Sequence, residues 1–225
     1  MGLNANENIK FLRSKQKVIS AFFIVFYTVG LIGMLLPHTF PLFLRLIPFA
    51  LILSFVALAF FHVSKMQWKA TVCFLTIYSI AFIIEAIGVN TGLIFGHYEY
   101  GQGLGIQIFQ TPLIIGINWL FLVYTTSSII EKLKFPSIVK ILLASLSMLL
   151  YDIVLEQVAP KLDMWHWKDN IIPFQNYIAW IALAVFFHAL IKILKVKFEN
   201  KLAPLILGCQ FLFFLLLYIW YKLIL

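Results

Sequence analysis

Of 225 residues, 63% are hydrophobic and only 12% are charged, with a mean hydropathy of +0.99, against about 45–50% apolar and about 25% charged in soluble domains. That balance excludes a soluble enzyme, a disordered tail and a secreted disulfide scaffold, and it makes the bilayer the solvent for most of the chain. The net charge of +8 does not point to nucleic acid, because the basic residues are scattered between long apolar runs rather than clustered on a water-facing surface.

A helix needs about 20 apolar residues to cross the hydrocarbon. Seven stretches qualify in chain order: 18–36, 42–61, 70–88, 112–130, 138–158, 174–194 and 202–221. Prolines 37, 41, 112, 136, 160, 173 and 204 sit near their ends, where a missing N–H is cheap. Pro48 lies inside the second, where a kink is expected. The reading is therefore an all-α, polytopic integral membrane protein, with a cytoplasmic basic segment over 1–17 and a single transmembrane helical domain over 18–225. Lys10, Arg13, Lys15 and Lys17 before the first stretch resemble the start of a signal peptide. The stretch is too long for such a core and no small-residue cleavage pattern follows, so a retained span is expected.

Threading seven spans with the N-terminus inside puts 13 of the 17 basic residues on the cytoplasmic side. They are the four before the first span, then Lys65, Lys69, Lys132, Lys134, Lys140, Lys192, Lys195, Lys197 and Lys201. Arg45, Lys161, Lys168 and Lys222 remain outside. This asymmetry favours an N-in, C-out protein of the inner, cytoplasmic membrane. Two loops, 89–111 and 159–173, exceed what threading needs. Both fall on the outer side, and the first has no Lys or Arg. Long loops in compact proteins are more often functional than idle.

Glu85, Asp152 and Glu156 fall within predicted spans, and an ionisable residue there is a functional-site hypothesis by default. Asp152 and Glu156 share one helix face, about 6 Å apart along the axis. Spans three and five both run outward, so all three acids lie at similar depth, and Glu99 in the adjoining loop is expected to join them. Carboxyls close together in apolar surroundings cannot all ionise, and a protonated acid beside an ionised one is an acid/base pair. Snorkelling or pairing with Lys and Arg is the alternative, but the outer halves of those spans carry no basic residue.

Aromatic residues crowd the same region: Tyr98 and Tyr100 in the first loop, Trp165 and Trp167 in the second, Trp119 early in span four, and Asn176 and Trp180 early in span six. Interfacial belts account for many such residues. They do not require Tyr-x-Tyr, Trp-x-Trp and glycine-rich turns together, which read as a built pocket. Gly101, Gly103 and Gly105 match no phosphate-binding fingerprint and suit a tight turn or re-entrant loop. Cys73 and Cys209 read as buried free thiols. The five histidines, His38, His62, His97, His166 and His188, do not cluster, so no metal is expected.

Phe95-Gly-x-Tyr98-x-Tyr100, Leu104-Gly105, Thr111-Pro112-Leu113 and Trp119 resemble the carotenoid biosynthesis protein family that includes carotenoid 1',2'-hydratases and bisanhydrobacterioruberin hydratase. Asp152-x-x-x-Glu156, Trp165-x-Trp167 and Ile172-Pro173-x-x-Asn176-x-x-x-Trp180 continue the likeness, which covers roughly 85–180. Gln157 stands where the family tends to have proline, and Ile171 and Ala179 where it tends to have glycine. The resemblance implies addition of water to the terminal C1'=C2' bond of an acyclic carotenoid without a cofactor, and it makes other carotenoid-pathway enzymes expected partners. The residue inventory suits that chemistry. A carboxylic acid can protonate the alkene, aromatic faces can stabilise the tertiary cation, and a carboxylate can deprotonate water. Asp152 or Glu156 is the expected proton donor and Glu85 and Glu99 position water. Tyr98, Tyr100, Trp119, Trp165, Trp167, Asn176 and Trp180 are expected to bind the end group. A lycopene-cyclase-like isomerase, which quenches the cation with a double bond, is one alternative. A proton-coupled or small-solute transporter is the other, although neither repeat symmetry nor mid-membrane helix breaks are visible.

Overall fold

The computed structural model describes residues 5–63 and 68–224. Lys65 lies outside the described residues, as do the side chains of Lys10 and Arg13. The helices are α1 (Ala5–Leu35), α2 (Phe40–Phe60), α3 (Trp68–Thr91), α4 (Ile114–Ile130), α5 (Ser137–Glu156), α6 (Phe174–Ile193) and α7 (Ala203–Ile224). Each falls on one of the expected apolar stretches. Pro136 and Pro173 stand immediately before α5 and α6, and Pro41 occupies the first turn of α2, which continues through Pro48.

Six of these helices are long and apolar enough to cross a membrane, and the chain is a multi-pass membrane protein. One of the seven helices on the expected stretches is shorter than the rest. Helix α4 has 17 residues, a length of about 25 Å against a hydrocarbon core of about 30 Å. It can be short because lipid hardly sees it: α4 packs against α2, α3, α5, α6 and α7, and nearly all its residues are buried. Its polar side chains Asn118, Thr125, Thr126 and Ser128 face protein, the usual place for polar groups within a membrane bundle. A hairpin sets its start. Strands β2 (Gln107–Ile108) and β3 (Thr111–Pro112) pair around Phe109 and Gln110, both at positive φ, as a two-residue type I′ turn requires.

The two long loops are joined to each other. Strand β1 (Tyr98–Tyr100) runs antiparallel to β4 (Trp165–Trp167), with Tyr98 opposite Trp167, Glu99 opposite His166 and Tyr100 opposite Trp165. Asp163 reinforces the join, accepting the Gln102 N–H at 2.9 Å and meeting His166 Nε2 at 3.1 Å. At the other end of the bundle, His62 and Asn200 form a β-bridge, and Glu131 at the end of α4 pairs with Lys140 and Lys192. The Lys-bearing α4–α5 and α6–α7 connections and the aromatic loops thus occupy opposite ends, with Lys161 and Lys168 on the aromatic side.

Candidate active site

Side chains alternate across a strand, so Tyr-x-Tyr and Trp-x-Trp each send two aromatic rings to one face. The β1–β4 ladder turns these four rings onto the ends of α3 and α5. Gly88, one turn beyond Glu85, lets the loop fold back: a Cβ there would stand 2.6 Å from the Phe95 ring.

Glu85, 4% exposed, accepts three hydrogen bonds: Trp119 Nε1 donates to Oε1 at 2.8 Å, and the Tyr98 and Tyr100 hydroxyls donate to Oε2 at 2.8 Å each. Burial first, and the neighbouring Glu85 second, pushes both phenols well above their ordinary range, so they remain donors. Glu156, 3% exposed, also accepts three: Trp165 Nε1 at 2.9 Å and Trp167 Nε1 at 2.6 Å on Oε2, and Asn176 Nδ2 at 3.0 Å on Oε1. Asp152 differs. It is wholly buried, Asn176 Nδ2 reaches its Oδ2 at 3.3 Å, and its Oδ1 has no partner. Asn176 therefore bridges the two acids of α5.

Between these groups lies a cavity of about 20 Å³, lined by Glu85, Glu156, Asn118, Asn176, Trp180 and the aromatic residues of both strands. That is room for one water. Trp180 stacks on Trp119 with ring centroids 4.1 Å apart, so the cavity has aromatic walls as well as carboxylate ones. Among the described residues the ion pairs lie elsewhere, on Glu131 and Asp163. No group of three or more His, Cys, Asp or Glu among them is arranged to hold a metal.

Ten of the eleven side chains singled out in the sequence come together here. Glu99 does not. It sits at the middle of β1, so alternation turns it to the exposed face opposite Tyr98 and Tyr100, beside His166 rather than Glu85. Asn118 was missed, and Phe95 was read only as part of the family motif and not as a wall of the cavity. Asn118 carried a usable signal, a polar side chain one residue from Trp119 inside an apolar stretch.

A family model described as carotenoid biosynthesis protein matches residues 46–224. The chain belongs to that family. No curated protein and no solved structure matches the chain. The matched segment begins within α2 and includes every residue of the buried cluster. Membership assigns the chain a role in carotenoid biosynthesis, and its membrane helices suit a substrate dissolved in lipid.

Proposed function

We propose that the chain is a carotenoid hydratase that adds water to the terminal C1'=C2' bond of an acyclic carotenoid end group, in the cytoplasmic membrane and without a cofactor. The observation that carries the reading is the unequal hydrogen bonding of three buried acids, of which Glu85 and Glu156 line a space for one water and Asp152 is tied to that space through Asn176. Glu85 and Glu156 each receive three donors, a set that fits a carboxylate. Asp152 has one long donor contact and one unpartnered oxygen, a set that fits the protonated acid.

The reaction balances on these groups. The alkene π pair takes the Asp152 proton to form the C2'–H bond, leaving a tertiary cation at C1'. Asp152 becomes the carboxylate. Water donates a lone pair to C1' and gives up one proton to Glu156 or Glu85, so that one water is added in total. The Trp180 and Trp167 rings offer π faces to the cation, and Asn118 and Asn176 orient the water. Glu99 has no part in these steps.

A cyclase would share the protonation step, then close the cation on a second double bond. The water-sized space beside two carboxylates favours water as the trapping nucleophile. Expression in cells that accumulate lycopene or γ-carotene tests the reading. The expected pigment is heavier by one water, and Asp152→Asn should yield none of it. An isomer of unchanged mass would replace hydratase by cyclase, and hydrated pigment from Asp152→Asn would refute the donor assignment.

A further inference from the structure

Beside the buried cluster the bundle has a second cavity, about 390 Å³, between α1, α2 and α7. It opens toward lipid, since Phe22, Val25, Val29, Leu46, Phe49 and Leu53 on its rim are all exposed. Its polar residues are occupied with one another. The Tyr27 hydroxyl lies 2.9 Å from Ser54 Oγ and donates to Gln210 Oε1 at 3.3 Å, while Gln210 Nε2 donates to the Tyr151 hydroxyl at 2.6 Å. An occupant therefore meets an almost purely apolar surface, and six phenylalanines (Phe22, Phe26, Phe43, Phe49, Phe213 and Phe214) supply much of it. Flat rings in this number match a rigid conjugated chain better than a flexible saturated one, because rigid planes stack without losing rotamer freedom.

The groove also reaches the catalytic helix. Tyr151, which precedes Asp152 on α5, accepts the Gln210 hydrogen bond and packs edge-on against Phe214 at 6.0 Å, and both of those residues line the groove. The space beside Glu85 and Glu156 holds only a water, so the body of a long substrate must lie elsewhere.

We propose that the α1–α2–α7 groove binds the polyene chain of the carotenoid while its end group reaches toward Asp152; this rests on the hydratase reading for the position of the end group. Gly30 gives the means to test it. Gly30 lines the groove, and a Cβ there would meet only the Phe213 ring, at 3.6 Å. Gly30→Phe therefore fills the space, and Leu46→Trp narrows the mouth from the lipid side.

The full-length protein, Gly30→Phe, Leu46→Trp and Asp152→Asn are purified in detergent from cells making lycopene, and bound pigment per protein is read by visible absorbance. The parent and Asp152→Asn should retain lycopene-type pigment alike. The two groove variants, melting with the parent, should retain about tenfold less, as a loss of about 1.4 kcal/mol of binding gives. Undiminished pigment on both groove variants would overturn the proposal whatever Asp152→Asn does. Loss of co-purified phospholipid without loss of pigment would also overturn it, marking a lipid site. Absence of hydrated pigment in the parent strikes the reaction reading and leaves the retention ratio to judge the groove.

Discussion

An indole N–H can only donate and a carboxylate can only accept, and this complementarity organises the site residue by residue. Trp119 fixes Glu85, while Trp165 and Trp167 fix Glu156. Glu156→Gln would turn one acceptor into an N–H facing an N–H donor, either the two indoles or the Asn176 amide. The expected cost is about 1–3 kcal/mol, as for a buried group left unpaired. Asp152→Asn keeps the Asn176 contact through its amide oxygen and deprives no donor, so it should melt much closer to the parent while losing activity. Thermal melts of the two proteins in detergent check this, and equal losses would refute the distinction between the acids. Glu85, Asp152 and Glu156 were legible in the sequence because a carboxyl in an apolar span has few structural excuses. The placement of Glu99 was not, because it depends on a strand register that helix-scale reasoning does not contain.

Among the elements, the short β1–β4 ladder does most to assemble the site, since it brings four aromatic donors from two distant loops onto two helix ends. The sequence carried its signature. Tyr-x-Tyr and Trp-x-Trp are period-two patterns, with Glu99 and His166 as the intervening polar positions. Three residues are too few to stand out against long apolar helices, and the partner strand is more than sixty residues away. The join is tight as well as short. A Cβ on Gly101 would come within 2.3 Å of the Asp163 carbonyl oxygen and 2.2 Å of its Oδ1, both well inside contact distance. Gly101→Ala should therefore part the strands, withdraw the tyrosines from Glu85 and the tryptophans from Glu156, and abolish activity although residue 101 has no side chain in the cavity. Gly208→Ala on α7 is the control, because a Cβ there meets nothing within 4 Å. Tryptophan fluorescence should shift to the red for Gly101→Ala and stay unchanged for Gly208→Ala. A blue, parental spectrum for both would show that the ladder tolerates the methyl.

For the whole molecule, the apolar excess and the charge asymmetry describe one arrangement. The bundle has a basic end, formed by the α4–α5 and α6–α7 connections, and an end capped by the aromatic loops, with the acids just beneath. If positive charge marks the cytoplasmic side, the cavity lies near the outer leaflet, where an end group can leave lipid and meet water. In a background with Cys73 and Cys209 replaced by alanine, Lys168→Cys and Lys197→Cys report the two ends, since both lysines are exposed. A membrane-impermeant maleimide added to intact cells should label the Lys168→Cys protein and reach the Lys197→Cys protein only after lysis. The reverse pattern would invert the bundle and move the buried acids to the cytoplasmic leaflet. It would leave the hydrogen bonding of Glu85, Asp152 and Glu156 untouched, because that chemistry depends on the β1–β4 ladder and not on which side of the membrane the ladder faces.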